Sequence, residues 1–441
     1  MTTHRYDAVV IGAGPAGEVC AGALADGELR VAIVERELVG GECSYWGCIP
    51  SKTLVRPGEA VAAARQVPGA RQALSGPIDV GAALAWRDFM VSSYDDTGAS
   101  RWLDGKGVDV HRGEARVVAP GVVVVGDDEL HADDVVLATG SDSFVPPIPG
   151  LRDLDGVWTN REATALKEVP RHLVVLGGGA VGVELAQAVV RFGARVTLVE
   201  GAEHVLPREP RAVGEAIGAA LEADGVQLVL GRRASQVRKE GGDFVVDFGD
   251  RASVAGDRLL VATGRRPRLP EGIEAVEVDA RMRAGERLWA VGDVTGIWPL
   301  TYVGKYQARI AAANILGAGR EASYDAVPRV VFTDPQAAAV GAAEGELVST
   351  VALSGVPRTA TYTREYAEQP GFLTLVGDGE RLIGAYAVGP DAGEWLQQAT
   401  VAIRARIPLA VLRDTIQPFP TFSEAFVEAL AGLRTRLAVA A

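Results

Sequence analysis

The strongest constraint on this chain is a pattern that occurs twice. The segment YDAVVIGAGPAGEVCAGALA (6–25) reads as an apolar strand, a glycine turn and a helix, with Gly12, Gly14 and Gly17 in G-x-G-x-x-G spacing. The first glycine permits a tight turn, the second lets backbone approach a pyrophosphate, and the third lets helix and strand pack closely. The helix start then presents unpaired N–H groups to phosphate. The next strand, RVAIVE, ends in Glu35, whose carboxylate can accept hydrogen bonds from ribose hydroxyls. HLVVLGGGAVGVELAQAVVRFG (172–193) repeats the pattern with Gly177, Gly179 and Gly182, and RVTLVE ends in Glu200. Glu35 follows Gly12 by 23 positions, and Glu200 follows Gly177 by 23. One such fingerprint is a weak signal. Two, each with a strand and an acid at the same spacing, predict two dinucleotide sites in an α/β chain. Two sites imply electron transfer between a nicotinamide and a flavin.

The bulk numbers are compatible with that reading. A chain of 441 residues is long enough for two to four domains. Hydrophobic residues at 48% and charged residues at 23% are ordinary for a globular protein. A formal net charge of −13, with no basic cluster, argues against nucleic acid as a partner. The N-terminus runs at once into a strand-like segment, so no signal peptide is expected. The longest apolar run contains three adjacent glycines and Glu184, so no membrane span is expected. Three cysteines, Cys20, Cys43 and Cys48, are too few for a secreted disulfide framework and point to the cytoplasm. Cys20 lies in an apolar helical pattern and reads as a small buried hydrophobe.

Cys43 and Cys48 lie in VGGECSYWGCIPSK (39–52), just after the acid of the first copy. A close pair there can be a redox centre, a structural bridge or a metal site. A metal reading lacks ligands, because none of the five histidines sits at a ligand-like spacing from the pair. A regular helix would set residues five apart about 7.5 Å along its axis, whereas disulfide Cα atoms are usually about 4.4–6.8 Å apart. The segment therefore cannot be plain helix. Gly47 loosens the backbone, and Pro50 disfavours the carbonyl position of Trp46 that a continuing helix needs. A bent turn at a helix start also stabilises a thiolate.

With these residues in view, the chain resembles the flavoprotein pyridine nucleotide-disulfide oxidoreductases, which include lipoamide dehydrogenase, glutathione reductase and mercuric reductase. GGECSYWGCIPSK matches the family's redox box. LATG (137–140) and VATGRRP (261–267) resemble its two domain-crossing strands, LWAVGDVTG (288–296) its second flavin motif, and VPRVVFTDPQAAAVG (327–341) the start of its dimerisation domain. The resemblance implies an α/β fold of two Rossmann-like domains of the three-layer ββα type plus a C-terminal α+β dimerisation domain. It divides the chain into an FAD domain at 1–149, an NAD(P) domain at 150–267, a return to the FAD domain at 268–326 and an interface domain at 327–441. It also implies a homodimer whose active site is shared between subunits and acts on a small molecule.

Site residues follow from the same resemblance. Cys48 would lie near the flavin, and Cys43 would attack the substrate. Lys52 would sit near the flavin and pair with Glu184. FAD would contact Gly12, Gly14, Gly17, Glu35, Gly41, Lys52, Ala115, Thr139, Gly140, Asp293 and Tyr302. The nicotinamide dinucleotide would contact Gly177, Gly179, Val181, Gly182, Glu200 and Gly264. Glu200 favours NADH, since a carboxylate repels a 2′-phosphate. NADPH-using relatives carry arginines on this loop, where this chain has Gly201 and Pro207, and Arg208 one place off keeps NADPH open.

One departure matters most. The family's C-terminal signature is His-x-His-Pro-Thr-x-x-Glu, and this chain reads QPFPTFSE (417–424). Phe419 stands in place of the acid–base histidine, while Pro420, Thr421 and Glu424 remain. Thiol–disulfide exchange needs a proton delivered to the leaving thiolate, a service histidine performs and Phe cannot. The expected substrate is therefore a quinone, another organic compound or an unusual thiol or disulfide. The alternatives are a metal reductase like mercuric reductase, a carboxylating enzyme like 2-ketopropyl-coenzyme M oxidoreductase, and a redox sensor without turnover. The chain lacks the terminal cysteine pair of mercuric reductase, and it keeps Glu424 where the carboxylase has His. Tyr45 and Trp46 stand where relatives carry smaller residues, with packing the simpler role for Trp46. The Phe419–Pro420 bond is expected to be cis.

Overall fold

The computed structural model describes residues 2–362 and 371–433. The chain divides into two compact units, one built from 1–51, 85–144 and 264–323, the other from 52–84, 145–263 and 324 onward.

In the first unit, β1 (Thr2–Ile11) leads through the glycine turn into α1 (Pro15–Asp26) and back to β2 (Val31–Glu35). β1 pairs parallel with β2 on one side and with Asp128–Leu137 on the other. β1 and β2 are buried from Ala8 and Val31 to their ends, as central parallel strands covered on both faces are. Asp109–Arg112 extends the sheet beyond β2, and Leu288–Ala290 beyond Asp128–Leu137. An antiparallel pair, Ala115–Ala119 with Val122–Val125, joins the same sheet through Asp128–Leu137. It supplies the second β-layer of the ββα arrangement.

The second unit repeats the plan. Four parallel strands run in the order Val226–Val229, Arg195–Val199, His172–Leu176 and Arg258–Val261, with helix Ala180–Arg191 following the second glycine turn. A three-stranded antiparallel sheet, Gln236–Glu240, Asp243–Asp247 and Ser253–Gly256, is its β-layer. C-terminal to it lies a five-stranded antiparallel sheet in the order Pro328–Val331, Gln336–Gly341, Leu382–Gly389, Phe372–Gly377 and Leu347–Ala352, with helices Gln397–Arg404 and Ala425–Gly432. The expected α/β class with two Rossmann-like modules and a C-terminal α+β domain is the fold observed. No described helix is long and apolar enough to cross a membrane.

The two glycine turns match closely. Gly12 has φ +102° and Gly177 φ +107°, a region L-residues rarely adopt. A Cβ on Gly17 would fall 1.8 Å from the Gly12 carbonyl oxygen, and one on Gly182 would fall 1.9 Å from that of Gly177. Only glycine lets helix and strand approach this closely.

Candidate functional site

Each fingerprint acid is held in the same way. Glu35 accepts from the Ala13 N–H at 2.8 Å and from the Glu37 N–H at 2.8 Å. Glu200 accepts from the Gly178 N–H at 2.7 Å and the Ala202 N–H at 2.9 Å. Both carboxylates are thereby fixed against their glycine turns, with lone pairs left for further hydroxyl donors.

Beside the first turn lies a cavity of about 190 Å³ lined by Gly12, Glu35, Arg36, Gly113, Ala115, Thr139 and Arg268, among others. Gly41 packs so closely on Gly14 that a Cβ there would stand 2.7 Å from the Gly14 Cα. Gly140 has φ +74° and open space where a side chain would be. Asp293 accepts from the Ser141 hydroxyl at 2.6 Å, and Arg265 donates to the same hydroxyl at 2.8 Å and to the Ser141 carbonyl at 2.7 Å. Tyr302 is 43% exposed. A cavity at a glycine turn, bordered by the anchored carboxylate of Glu35, fits the adenosine end of an FAD. The second turn fits a second dinucleotide: space beside Gly179 is open, and Val181 is 37% exposed. Gly264, at φ +114°, lies in the first unit.

The cysteine box folds as a broken helix. α2 (Gly41–Tyr45) carries Cys43 and ends at Trp46, where the backbone leaves helical geometry at φ −134° and ψ 3°. α3 (Cys48–Gln66) then begins at Cys48, with Pro50 in its first turn, where no N–H is required. Gly47 makes the break possible, since a Cβ there would stand 3.1 Å from the Glu42 oxygen and 3.2 Å from the Cys43 Cα. The chain doubles back on Cys43, as the disulfide distance argument requires. Both cysteines are free thiols joined by a hydrogen bond. That bond, followed by burial, pushes the Cys43 thiol well above the ordinary value.

A residue that sequence reasoning missed completes this centre. The Thr301 hydroxyl lies 3.3 Å from Cys48 Sγ and also reaches Cys43. Thr301 opens the helix Thr301–Ile315, so the positive end of that helix points the same way. The only local signal was its place at a helix start beside Tyr302. Tyr45 is buried and donates to the Val39 carbonyl at 3.0 Å, so it packs rather than facing a ligand. Cys20 is fully buried, as expected.

On α3, one turn after Cys48, Lys52 Nζ sits 2.7 Å from Glu184 Oε2. Glu184 is only 4% exposed, and its other oxygen accepts from the Phe332 N–H at 2.9 Å. Lys52 also lies over the Phe332 ring at 4.7 Å. The buried carboxylate is thus neutralised by one lysine and one backbone donor.

At the C-terminal signature, Phe419–Pro420 is cis and Phe419 is 71% exposed. Gln417 donates to Gln398 at 3.0 Å. One Glu424 oxygen is buried without a hydrogen-bond partner among the described residues.

Residues 6–311 match the pyridine nucleotide-disulphide oxidoreductase family, and residues 327–430 match its dimerisation domain. The chain is 35% identical to a mercuric reductase of Acidithiobacillus ferrooxidans, across 94% of this chain and 80% of that protein. It is 34% identical to a dihydrolipoyl dehydrogenase of Thermus scotoductus, across 97% of each. Among solved structures, the Cu(II) complex of the HOCl-induced flavoprotein disulfide reductase RclA from Escherichia coli superposes with a TM-score of 0.85 at 29% identity, covering 98% of this chain and 100% of that one.

Proposed function

From the pyridine nucleotide-disulphide oxidoreductase family, to which this chain belongs as an FAD-dependent NAD(P)H oxidoreductase, we propose that Cys43 and Cys48 pass electrons to an acceptor outside the small-disulfide class. The observation that carries this reading is Phe419, set beside an intact dithiol.

Bound at the first turn, FAD supplies two-electron chemistry between a nicotinamide and the dithiol. The chain's own residues do the rest. The glycine turns receive the pyrophosphates of FAD and of the nicotinamide dinucleotide, and Glu35 and Glu200 accept from ribose hydroxyls. Glu200 favours NADH. Lys52, anchored by Glu184, holds a positive charge one helical turn from Cys48. The Thr301 hydroxyl, 3.3 Å from Cys48 Sγ, can donate to a Cys48 thiolate and so favour it. Reducing an external disulfide would then need a proton for the departing thiolate. Phe419 has none to give.

A soft metal ion suits this arrangement better. Two thiolates are good ligands for such an ion, and its reduction releases no thiolate that must be protonated. The names of a mercuric reductase and of the Cu(II) complex of RclA are in keeping with this. A second reading, a quinone or other organic acceptor, draws on the exposed apolar pair Phe419 and Ile416, the latter 93% exposed. In either case a homodimer formed through the dimerisation domain would bring Phe419 of one chain to the dithiol of the other.

The test is an anaerobic titration of the FAD-loaded protein with NADH, followed by absorbance. A long-wavelength band after two electrons places the Cys48 thiolate in the electron path. Hg(II), Cu(II), glutathione disulfide and a benzoquinone are then offered in turn. Rapid reoxidation by a metal ion, with glutathione disulfide inert, is the expected result. Efficient turnover of glutathione disulfide would overturn the reading, and reoxidation by the quinone alone would favour the second.

A further inference from the structure

In the first fingerprint the residue after the acid is Arg36, which lines the cavity beside Gly12 and Glu35. In the second it is Gly201, so the loop that meets the adenosine ribose has lost a cation at that position. The structure fills the space from elsewhere. A Cβ built on Gly201 would stand 3.1 Å from Cγ and 3.4 Å from Nε of Arg233. Arg233 follows the neighbouring strand Val226–Val229 and lies across the place a side chain at 201 would occupy.

Its position is fixed by backbone. The Gly231 N–H donates to the Ala202 carbonyl at 2.8 Å, and the Arg232 N–H donates to the Glu200 carbonyl at 3.2 Å. The neighbouring Arg232 is committed, paired with Asp250 at 2.6 Å and set over the Phe248 ring at 5.1 Å. Arg233 is exposed and has no ion pair or hydrogen bond among the described residues. Two acids stand close by. Glu200 is drawn toward Gly178 and Ala202 by its two N–H donors, and Glu203 lies 3.2 Å from where a Cβ on Gly231 would be.

We propose that Arg233 is a specificity-determining residue: its guanidinium receives the 2′-phosphate of NADPH and lets this site accept NADPH as well as NADH. The proposal rests on reading the second fingerprint as the nicotinamide dinucleotide site. Arg233 restores in space the cation that Gly201 lacks in sequence, and a guanidinium facing a phosphate dianion makes paired, charge-assisted hydrogen bonds. Glu200 and Glu203 oppose it, so the outcome is tolerance of the phosphate rather than demand for it.

Calorimetric binding of 2′,5′-ADP and of 5′-ADP to the full-length, FAD-loaded protein tests this, in wild type, Arg233→Ala, Arg233→Lys and Arg208→Ala. Arg233→Ala should weaken 2′,5′-ADP about tenfold, the scale of hydrogen bonds to a charged group, and leave 5′-ADP within about twofold. Arg233→Lys should fall between, because lysine keeps the charge and loses the fork. The kcat/KM ratio of NADH to NADPH should rise by the same factor in Arg233→Ala. Equal binding of 2′,5′-ADP by wild type and Arg233→Ala, or a loss confined to Arg208→Ala, overturns the role of Arg233 and leaves the dinucleotide site standing. If wild type binds neither nucleotide, the reading of the second fingerprint falls, and the proposal with it.

Discussion

Replacing Thr301 by valine removes one hydroxyl and little else. The two side chains have nearly the same shape, and the helix Thr301–Ile315 keeps its backbone and dipole. The lost contacts are the 3.3 Å hydrogen bond to Cys48 Sγ and the one to Cys43. A hydrogen bond to a charged group contributes about 1.5–3 kcal/mol, and a single bond to a half-buried sulfur belongs at the lower end of that range. Since about 1.4 kcal/mol corresponds to one pKa unit, the Cys48 thiol should titrate about one unit higher in Thr301→Val. The assay is iodoacetamide alkylation of the dithiothreitol-reduced, FAD-loaded protein across a pH series, with Cys48 followed by peptide mass spectrometry. Its rate near neutrality should fall about tenfold, because the thiolate is the reacting species. Thr301→Ser should restore most of it. A Thr301→Val profile that overlays wild type would refute the argument, since shape and dipole are held constant and only the hydroxyl is gone.

Lys52→Met should destabilise the protein by about 2–3 kcal/mol in urea unfolding. It strips a buried carboxylate of its counterion, and the usual about 3–5 kcal/mol is reduced because Lys52 is itself partly exposed. Adding Glu184→Gln should recover part of that loss, and strict additivity of the two would show that the pair is not coupled. Phe419→His restores the imidazole of the family's C-terminal signature. It should raise turnover of glutathione disulfide at least about tenfold, below the full range for general acid–base catalysis, without raising metal-ion reduction in step. Burial, followed by nearby Glu35, lifts the Glu18 carboxyl to about 7 from 4.5. Between those values the unfolded chain has released a proton that the folded chain keeps, so stability falls as pH rises through this window. Glu18→Gln should therefore raise Tm relative to wild type at about pH 8, by at most about 3 kcal/mol of stability, and far less at about pH 5. Equal gains at both values would refute that account.

The parts of this site that were legible in the sequence are those set by neighbours along the chain. A glycine turn with positive φ, a strand ending in an acid and two cysteines five apart are local demands on backbone, and each leaves a mark within a few dozen residues. Gly12 and Gly177, Glu35 and Glu200, and the break at Gly47 all stand in the structure for reasons that spacing already contains. The place of Phe419 in the C-terminal signature was equally plain, because Pro420, Thr421 and Glu424 keep its frame. Pairing Lys52 with Glu184 needed more, since 132 residues separate them and only the family pattern joined them.

Other features were settled by packing. Thr301 reaches a sulfur 253 positions away because the helix it opens is packed on α1. Tyr45 turns into the first unit and donates to its own loop, which its neighbours in sequence did not foretell. Arg233 lies over Gly201 because two parallel strands place the loops at their ends side by side. Sequence therefore determined the family, with its FAD and NAD(P)H, and the place of Phe419 in the C-terminal signature. Tertiary structure decided which hydroxyl faces the dithiol and which cation lies over Gly201, because strand order and helix packing, not chain distance, set those neighbours.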